Sequence, residues 1–374
     1  MMNVLIVTRS FVREVNSLLD YAAHVNFPAK FFVIIPEGTE LDYPGGNNVS
    51  QRKIYFAHRM RAACYGPSLF KDILAFRPDI LHLFEEFSGL IAFQSLLFNR
   101  ILERKSQVLL YSAENLPRNM HALFRLTMCY VINRSDAALV CSHGVKPILQ
   151  AEGYAKPIEV FPLGVDTSRF YKFPVESLKT QLKLDEKFVL GYVGRLLAIK
   201  GVFLLIEMMQ HLPENAHLLM VGSGPEEFQL RHKAAVLHVD HRIHFVGSIP
   251  YKELPRYINC MDIGVVPSQT TPYWKEQFGR VLVEFMSCEV PVIGSNSGSI
   301  PEVIGDVGYI FQENSLQGLI RMIHFLMQQP AKTEELGKLS RKRVIKCYSQ
   351  DIMCEQVINM YQRLSHNALL FTDG

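Results

Sequence analysis

The chain has 374 residues, of which 48% are hydrophobic and 20% are charged, so large cores can be buried. This length exceeds what one core usually holds and favours two domains of about 170 residues each. A formal net charge of +3 is too small to indicate binding to RNA or DNA.

Cysteine usage and hydropathy bear on the compartment of the protein. The seven cysteines are an odd number without CxxC spacing, which favours reduced core thiols over disulfides or a zinc site. The opening run MMNVLIVT has the length of a strand and lacks the hydrophobic region of a signal peptide. No stretch reaches the roughly 18 apolar residues that a membrane-spanning helix needs. We therefore expect a cytoplasmic protein that needs no metal.

Strand-like and helix-like runs alternate along the first half of the chain. The strand candidates are NVLIVT, KFFVIIP, DILHLF, QVLLYS, DAALVC and IEVFP. The helical candidates between them include VNSLLDYAAHV, SGLIAFQSLLFNRIL and HALFRLTMCYVIN. Such alternation predicts a parallel sheet flanked by helices.

Two features of the first half are candidates for binding. Glu85 and Glu86 follow the strand DILHLF, at a carboxyl strand end where they can accept hydrogen bonds from acceptor hydroxyls. Solvated loop carboxylates are the simpler interpretation. A basic, aromatic stretch can lie on anionic lipid, which leaves a peripheral membrane contact open beside a plain solvated helix face. Its basic residues are Arg52, Lys53, Arg59, Arg61 and Lys71.

The second half repeats the alternation. Its strand candidates are FVLGYVG, HLLMVG, IHFVG, IGVVP and PVIGS. The glycine- and proline-containing segment 161–174 is the best linker between the halves. The sequence therefore predicts two doubly wound α/β domains over residues 1–165 and 166–350, followed by a last helix in 351–374.

Two cations lie in the loop that follows the first strand of the second half. Arg195 can present a planar fork to phosphate oxygens, and Lys200 is a compact charge near the start of the next helix. A loop at the carboxyl end of a parallel strand is where open α/β sheets bind ligands. Ordinary solvated loop charges are the alternative.

Two glutamates stand eight positions apart in EQFGRVLVEFMSC. The pattern places Glu276 in a loop just before a helix that begins near Phe278 and Gly279. Glu284 then lies inside that helix, in an apolar stretch where an unpaired carboxylate would be costly. Gly279 lets the backbone approach a ligand closely. The alternatives are a helix-capping Glu276 and a solvated Glu284.

Other polar and glycine-rich turns have weaker signals. Residues 222–226, GSGPE, lack the third glycine of a dinucleotide fingerprint, so a strand-to-helix turn is favoured. In residues 241–244, HRIH, surface or strand histidines are favoured over a metal site. Tyr273 and Trp274 either stack on sugar faces or pack their loop. The backbone N–H groups of Ser297, Gly298, Ser299 and Ile300 precede a helix and can hold phosphate or sugar oxygens.

Residues 190–311 resemble the nucleotide-binding half of the retaining glycosyltransferases of family 4. The resemblance rests on GYVGRLLAIKG, LLMVGSGPE, HFVGSIPYKELPRYINCMDIGVVPS, EQFGRVLVE and PVIGSNSGSIPEVIGDVGYIF, and weaker similarity extends it to about residues 135–365. It implies the GT-B architecture, in which two Rossmann-like domains face each other across a cleft and the last helix returns to the first domain.

The resemblance also implies roles for particular residues. Arg195 and Lys200 match the phosphate clamp of the family, Glu276 the residue that contacts the donor sugar, and Glu284 the ligand of the ribose. Catalytic roles thus fall on Arg195, Lys200 and Glu276. The implied donor-binding residues are Gly194, Gly222, Gly247, Ser248, Phe278, Gly279, Arg280 and Glu284.

The first domain departs from the family pattern. The loop after NVLIVT has no glycine, where family members often carry a glycine-rich loop, and LLYSAENLPR offers Glu114 and Asn115 where many members have a histidine. We assign Glu85, Glu114 and Asn115 to the acceptor side on this basis. In the second domain, Glu289 and Ser299 occupy turn positions where glycine is usual.

The predicted activity is transfer of a sugar from a nucleoside-diphosphate sugar to an acceptor hydroxyl, perhaps of a glycan or glycolipid. Retention at the anomeric carbon comes from the resemblance, as does the absence of a required metal or other cofactor. A UDP-sugar is slightly preferred over a GDP-sugar without a residue-level reason. A nicotinamide-dependent oxidoreductase and a catalytically silent sugar-nucleotide binding protein are the alternatives.

Overall fold

The structure, a computed structural model, describes residues 1–39, 49–52, 54–55, 62–117 and 120–370. Lys53, Arg59 and Arg61 of the basic, aromatic stretch lie outside these ranges. The chain divides into two units, one formed by Met1–Leu163 with Asp351–Gly374 and the other by Gly164–Gln350. Each unit is an α/β domain built on a parallel sheet.

The first unit alternates strands and helices, as its apolar runs predict. Its strands are β1 (Met2–Thr8), β2 (Ala29–Pro36), β3 (Val49–Arg52), β4 (Ile54–Tyr55), β5 (Cys64–Tyr65), β6 (Ile80–Phe84), β7 (Gln107–Ser112), β8 (Ala137–Val140) and β9 (Ile158–Val160). Its helices are α1 (Val12–His24), α2 (Ser68–Phe76), α3 (Leu90–Ile101), α4 (Ala122–Arg134) and α5 (Lys146–Ala151).

Seven strands of the first unit form one sheet in the order β3-β2-β1-β6-β7-β8-β9, and β4 pairs with β5 in a separate antiparallel ribbon. The seven strands are all parallel. The strand order reverses direction between β1 and β6. In open α/β sheets, ligands bind beyond the carboxyl ends of the strands at such a point, and Arg9 and Glu85 follow these two strands directly.

The core of the first unit includes side chains from the end of the chain. Helix α14 spans Gln350–Leu370, and its Met353, Val357 and Tyr361 are buried in the same hydrophobic cluster as β1 and β6. The Tyr361 hydroxyl lies 2.7 Å from Nδ1 of His82 in β6. Burial lowers the pKa of His82 to about 3, so this ring is neutral and belongs to the core.

The second unit has the same alternation. Its strands are β10 (Phe188–Val193), β11 (Ala216–Val221), β12 (Ile243–Gly247), β13 (Ile263–Val266), β14 (Val292–Ser295) and β15 (Tyr309–Phe311). Its helices are α6 (Glu176–Gln181), α7 (Val202–Met208), α8 (Glu227–Val236), α9 (Leu254–Ile258), α10 (Arg280–Ser287), α11 (Ile300–Ile304), α12 (Leu316–Gln328) and α13 (Pro330–Cys347).

The sheet of the second unit has the strand order β12-β11-β10-β13-β14-β15, with every pair parallel. Its topological switch point lies between β10 and β13. The loop after β10 carries Arg195 and Lys200, and the loop after β13 carries Glu276. The fold therefore brings the two predicted groups of charged residues to neighbouring strand ends.

The predicted fold class is confirmed by these two parallel sheets. The described cysteines are free thiols, and Cys141, Cys260, Cys288 and Cys354 are buried, as expected of core residues. In the part of the chain that the structure describes, no helix is both long and apolar enough to cross a membrane.

Candidate active site

The loop after β10 is held in place from two sides. The Tyr192 hydroxyl donates to the Arg195 carbonyl at 2.7 Å, and the Gln269 amide donates to the Ile199 carbonyl at 2.8 Å. Burial and the charge of Glu276 raise the pKa of Tyr192, so its hydroxyl stays protonated and remains a donor. Gly201 has a φ of +71°, and a Cβ there would lie 1.9 Å from the Pro267 carbonyl. The loops after β10 and β13 can thus touch only because residue 201 is glycine.

Lys200 and Glu276 form an ion pair across these two loops. The Lys200 Nζ donates to Glu276 Oε2 at 2.8 Å, and the same oxygen accepts from the Ser268 hydroxyl at 2.6 Å. The Lys200 Nζ also lies 4.6 Å from the centre of the Trp274 ring, within the range of a cation–π contact. Trp274 therefore packs on the cation within its own unit, while Tyr273 is exposed.

Arg195 lies on the wall of a pocket of about 350 Å³. Gly194, Gly222, Ser248 and Tyr251 also line this pocket. Among the described residues, the exposed Arg195 guanidinium makes no hydrogen bond or ion pair, in contrast to Lys200. The planar guanidinium at this pocket wall can donate two hydrogen bonds to the oxygens of an anion such as a diphosphate.

Backbone turns rich in glycine form the floor beside Arg195. The Gly222 amide donates to the Gly247 carbonyl at 2.8 Å. A Cβ at Gly222, where φ is +135°, would lie 2.0 Å from the Gly194 carbonyl. The hydroxyls of Ser223 and Ser248 lie 2.6 Å apart at the mouth of the same turns. Close approach of these backbones explains why the GSGPE pattern is a turn and not a dinucleotide fingerprint.

Glu284 lies on α10 and is only 4% exposed. Its Oε1 accepts a hydrogen bond from the Tyr251 hydroxyl at 3.0 Å, so the alternative of a solvated Glu284 is wrong. The Tyr251 ring packs against Phe170, with ring centres 5.2 Å apart. Tyr251 therefore links Glu284 to the pocket that Arg195 lines. Its place within GSIPYKELP gave no signal of this contact.

The start of α10 is organised around Gly279, which has a φ of +78° and no side-chain cap. The N-cap position of α10 is thus Gly279, three residues after Glu276. Phe278 is buried with its ring 5.8 Å from that of Tyr348, and Arg280 is the first helical residue. The Phe278 ring thus packs in the interior, whereas Gly279 sets the direction in which the chain enters α10.

The backbone of Glu276 is fixed by the turn before α11. The Ser299 amide donates to the Glu276 carbonyl at 3.0 Å, and a Cβ at Gly298 would lie 1.9 Å from the same oxygen. No motif in the sequence marks Thr270 and Glu313, which continue this support. The Thr270 hydroxyl lies 2.9 Å from that of Ser297 and donates to Glu313 Oε1 at 2.7 Å.

In the first unit, carboxyl groups gather at the ends of β6 and β7. Glu85 is 4% exposed and lies 3.4 Å from the Arg9 guanidinium, while its other oxygen accepts from the Arg9 amide. Burial outweighs these contacts and raises the pKa of Glu85 to about 7. The simpler interpretation of a solvated Glu85 is therefore wrong. Arg9, in the loop without glycine, was not identified from the sequence.

Glu86 and Glu114 stand beside each other in this cluster. Glu86 accepts from the Ser112 hydroxyl at 2.8 Å and from the Ala113 amide at 2.9 Å. Glu114 accepts from the Ser88 hydroxyl at 2.8 Å. Burial and the charge of Glu114 raise the pKa of Glu86. Asn115 is buried next to them at 4% exposure, so the structure brings Glu85, Glu114 and Asn115 to one end of the first sheet.

His244, from the HRIH segment, has a structural role. His244 lies in β12, and its Nε2 is 2.9 Å from Nδ1 of His217 in β11. Burial and the neighbouring ring lower the pKa of His217 to about 4. No group of three or more histidine, cysteine, aspartate or glutamate side chains suited to a metal occurs within the described ranges.

Two family models match the chain in succession. The model described as "Glycosyltransferase Family 4" matches residues 28–169, and the one described as "Glycosyl transferases group 1" matches residues 175–343. The two matches fall on the first and second units and leave only short segments uncovered.

Curated relatives and solved structures agree with these models. The chain is 28% identical to the capsular polysaccharide biosynthesis glycosyltransferase CapM of Staphylococcus aureus over 60% of each chain. It is 29% identical to a GDP-mannose-dependent phosphatidylinositol monomannoside mannosyltransferase of Corynebacterium glutamicum, over 60% of this chain and 61% of the relative. The chain thus spans about three fifths of the length of these relatives.

A solved structure shows the same fold over nearly the whole chain. The structure of Anabaena Alr3699/HepE in complex with UDP superposes with a TM-score of 0.79 at 17% identity, over 97% of this chain and 100% of that one. Taken with the two parallel sheets and the two family models, this similarity confirms the resemblance. The chain belongs to the family 4 glycosyltransferases and has their GT-B architecture of two Rossmann-like domains.

Proposed function

We propose that the protein transfers a sugar from a nucleoside-diphosphate sugar to an acceptor hydroxyl with retention at the anomeric carbon. The observation that carries this proposal is the Lys200–Glu276 ion pair, 2.8 Å long, in loops next to the pocket that Arg195 lines. The two cations complement a diphosphate, and the two buried carboxylates can accept hydrogen bonds from sugar and ribose hydroxyls.

The cations serve the leaving group. When the bond from the anomeric carbon to the phosphate oxygen breaks, the nucleoside diphosphate gains negative charge. Arg195 and Lys200 stabilise that charge, and donors fixed in advance have no reorganisation to undergo during the reaction. Lys200 is already oriented by Glu276 and Trp274. The diphosphate therefore meets a cation whose position is set before binding.

Glu276 acts on the sugar. One of its oxygens accepts from both Lys200 and Ser268, which fixes the plane of the carboxylate. A carboxylate so held accepts hydrogen bonds from sugar hydroxyls in one orientation only. In the proposed reaction the acceptor oxygen attacks from the face that the phosphate leaves, and its proton passes to the departing phosphate oxygen.

Glu284 binds the ribose of the donor, and Gly222, Gly247 and Ser248 lie beside its base and phosphates. The acceptor hydroxyl is bound by the first unit, where Glu85, Glu114 and Asn115 lie together. Among relatives, the named donors include GDP-mannose. A UDP-sugar stays slightly preferred over a GDP-sugar as the donor, and both bases are tested.

A donor panel tests the proposal. Thermal unfolding is measured with UDP, GDP and their glucose, galactose, N-acetylglucosamine and mannose conjugates, because a ligand that binds only the native state raises its stability by mass action. The stabilising donor is then assayed for release of its nucleoside diphosphate, with and without alcohol acceptors. Binding without release under any condition would indicate a silent binding protein, and no binding would overturn the donor class.

The proposed mechanism needs no divalent metal, because Arg195 and Lys200 supply the positive charge at the phosphates. We expect turnover to persist in the presence of EDTA. Loss of turnover with EDTA, restored by magnesium or manganese, would contradict the metal-free mechanism.

A cytoplasmic location with peripheral membrane contact stays a prediction. Arg52 of the basic, aromatic stretch is bound to Asp72 through two hydrogen bonds of 2.8 and 2.6 Å, whereas Lys71 is exposed. Sedimentation with vesicles of anionic and of neutral lipid tests this contact. Equal binding to both, or to neither, would speak against an anionic membrane surface.

A further inference from the structure

The Tyr251–Glu284 contact bonds an aromatic residue of the pocket wall to a buried carboxylate. Tyr251 belongs to the turn after β12, and Glu284 lies 33 positions later on α10. The hydroxyl of Tyr251 donates to Glu284 Oε1 at 3.0 Å, and Tyr251 is one of the residues that line the pocket of about 350 Å³.

The tyrosine itself is held by packing and not by its hydroxyl alone. Its ring contacts Phe170 at 5.2 Å between ring centres, and Phe170 is fully buried. The Phe170 carbonyl accepts from the Ser287 hydroxyl at 2.6 Å, which ties that segment back to α10. The ring therefore packs on a residue that is itself bonded to the helix that carries Glu284, and the hydroxyl reaches the carboxylate from a fixed position.

We propose that Tyr251 is a positioning residue that orients Glu284 for the ribose hydroxyls of the donor. This inference rests on the proposed function and deepens it. A glutamate has three side-chain torsions, and the hydrogen bond from Tyr251 selects one setting of the carboxylate before the donor arrives. Ordering the acceptor in advance lowers the entropic cost of binding.

The contact also separates two parts of donor recognition. The ring of Tyr251 forms part of the wall whatever its substituent, whereas only its hydroxyl reaches Glu284. Removing the hydroxyl should therefore weaken recognition of the ribose and leave contacts to the diphosphate unchanged. A tyrosine that merely supports the fold would affect all nucleotides alike.

Nucleotide pairs that differ only in the ribose test this distinction. Dissociation constants are measured for UDP and 2′,3′-dideoxy-UDP, and for the corresponding guanosine pair, with the wild type, Tyr251→Phe and Tyr257→Phe. Trp274 is the single tryptophan of the chain and contacts Lys200, so its fluorescence reports binding at the diphosphate. Tyr257 lies on α9, one helix further along, and serves as the matched control.

We expect Tyr251→Phe to weaken the ribose form about 10-fold, because the Glu284 side chain must then be ordered at the expense of binding, and to change the dideoxy form by less than about twofold. Tyr257→Phe should change neither. Equal weakening of both forms, tighter binding of the ribose form, or no change would overturn the role of Tyr251 while the donor class stands. If the wild type binds neither nucleoside diphosphate, the proposed function fails and this inference fails with it.

Discussion

In the second unit, the loops beyond β10 and β13 pair a carboxylate with a lysine at 2.8 Å, whereas the loops beyond β6 and β7 of the first unit gather carboxyl groups. Both sheets are parallel and both reverse strand order beside their central strand. Arg9 contacts the first cluster, with its guanidinium 3.4 Å from Glu85. The same topology thus supports a site suited to an anion and a site suited to hydroxyl groups.

The difference comes from loop residues and not from the fold. Lys200 donates a direct hydrogen bond to Glu276, so a positive charge lies next to this buried carboxylate. Glu85 has a longer ion pair. Its pKa rises to about 7, because desolvation of the buried carboxyl group outweighs the favourable interaction with Arg9. Fold similarity alone would not separate these two sites.

The Lys200→Ala variant should give the largest effect in a test of the second-unit site. Loss of a fixed donor to the leaving group should lower kcat by about 100- to 1,000-fold, the usual effect of removing one such group. Lys342→Ala, on the exposed face of α13, is the matched control and should leave turnover unchanged. Steady-state kinetics with the identified donor give the result, and circular dichroism checks the fold. Unchanged turnover in Lys200→Ala would refute the phosphate clamp.

The second test addresses the first unit through its pH dependence. Between pH 4.5 and 7, folded Glu85 holds a proton that the unfolded chain has released, because its pKa rises from 4.5 to about 7 on folding. The contribution of Glu85 to the free energy of unfolding is therefore complete below pH 4.5. It falls by about 3 kcal/mol as the pH rises from 4.5 through 7.

Glu85→Gln should remove this loss. Relative to the wild type, the variant should gain stability as pH rises from 5 to 8, as followed by thermal unfolding at each pH. The exposed Glu37 provides the control, since Glu37→Gln should show the same pH profile as the wild type. Parallel profiles of Glu85→Gln and wild type would mean that Glu85 is ionised in the folded protein at pH 5.

The third test compares the two glutamates of the second unit. Glu276→Gln should lower kcat about 100-fold while the dissociation constant of the nucleoside diphosphate changes little, because we propose that Glu276 binds the sugar. Glu284→Gln should weaken nucleoside diphosphate binding about 10-fold, because we propose that it binds the ribose. Kinetics and fluorescence titration measure the two quantities. The reverse pattern would exchange the two assignments.

Most of the fold follows from the sequence, because buried parallel strands read as continuous apolar runs. NVLIVT predicts β1 and FVLGYVG predicts β10 for this reason. The strands that the sequence does not reveal are short or polar: β3 reads VSQR, β4 and β5 have two residues each, and β15 has three. Periodicity has no signal over such lengths.

The sequence likewise predicts some features of the site and not others. Burial of Glu284 follows from the apolar stretch VLVEFM, and the loop positions of Arg195, Lys200 and Glu276 follow from strand ends. The partners of these residues do not, because the contacts are distant in sequence. Tyr251 and Glu284 are separated by 33 positions, and Arg9 and Glu85 by 76. Only the packed sheet brings such pairs together.

The smallest test concerns backbone strain away from both sites. Glu289 follows α10 with a φ of +59°, a left-handed conformation at a turn where the resemblance predicts glycine. A residue with a side chain in that region is destabilised by about 1–2 kcal/mol. Glycine removes this strain but loses more conformational entropy on folding. Glu289→Gly should therefore raise the free energy of unfolding by about 0.5–1 kcal/mol. Glu289→Ala keeps the strain and should give no gain, which denaturant unfolding can measure beside it. If function depends on the charged loops, turnover should be the same in both variants. A change in turnover with Glu289→Gly would mean that the position of α10, and not only the charges at its start, sets the activity.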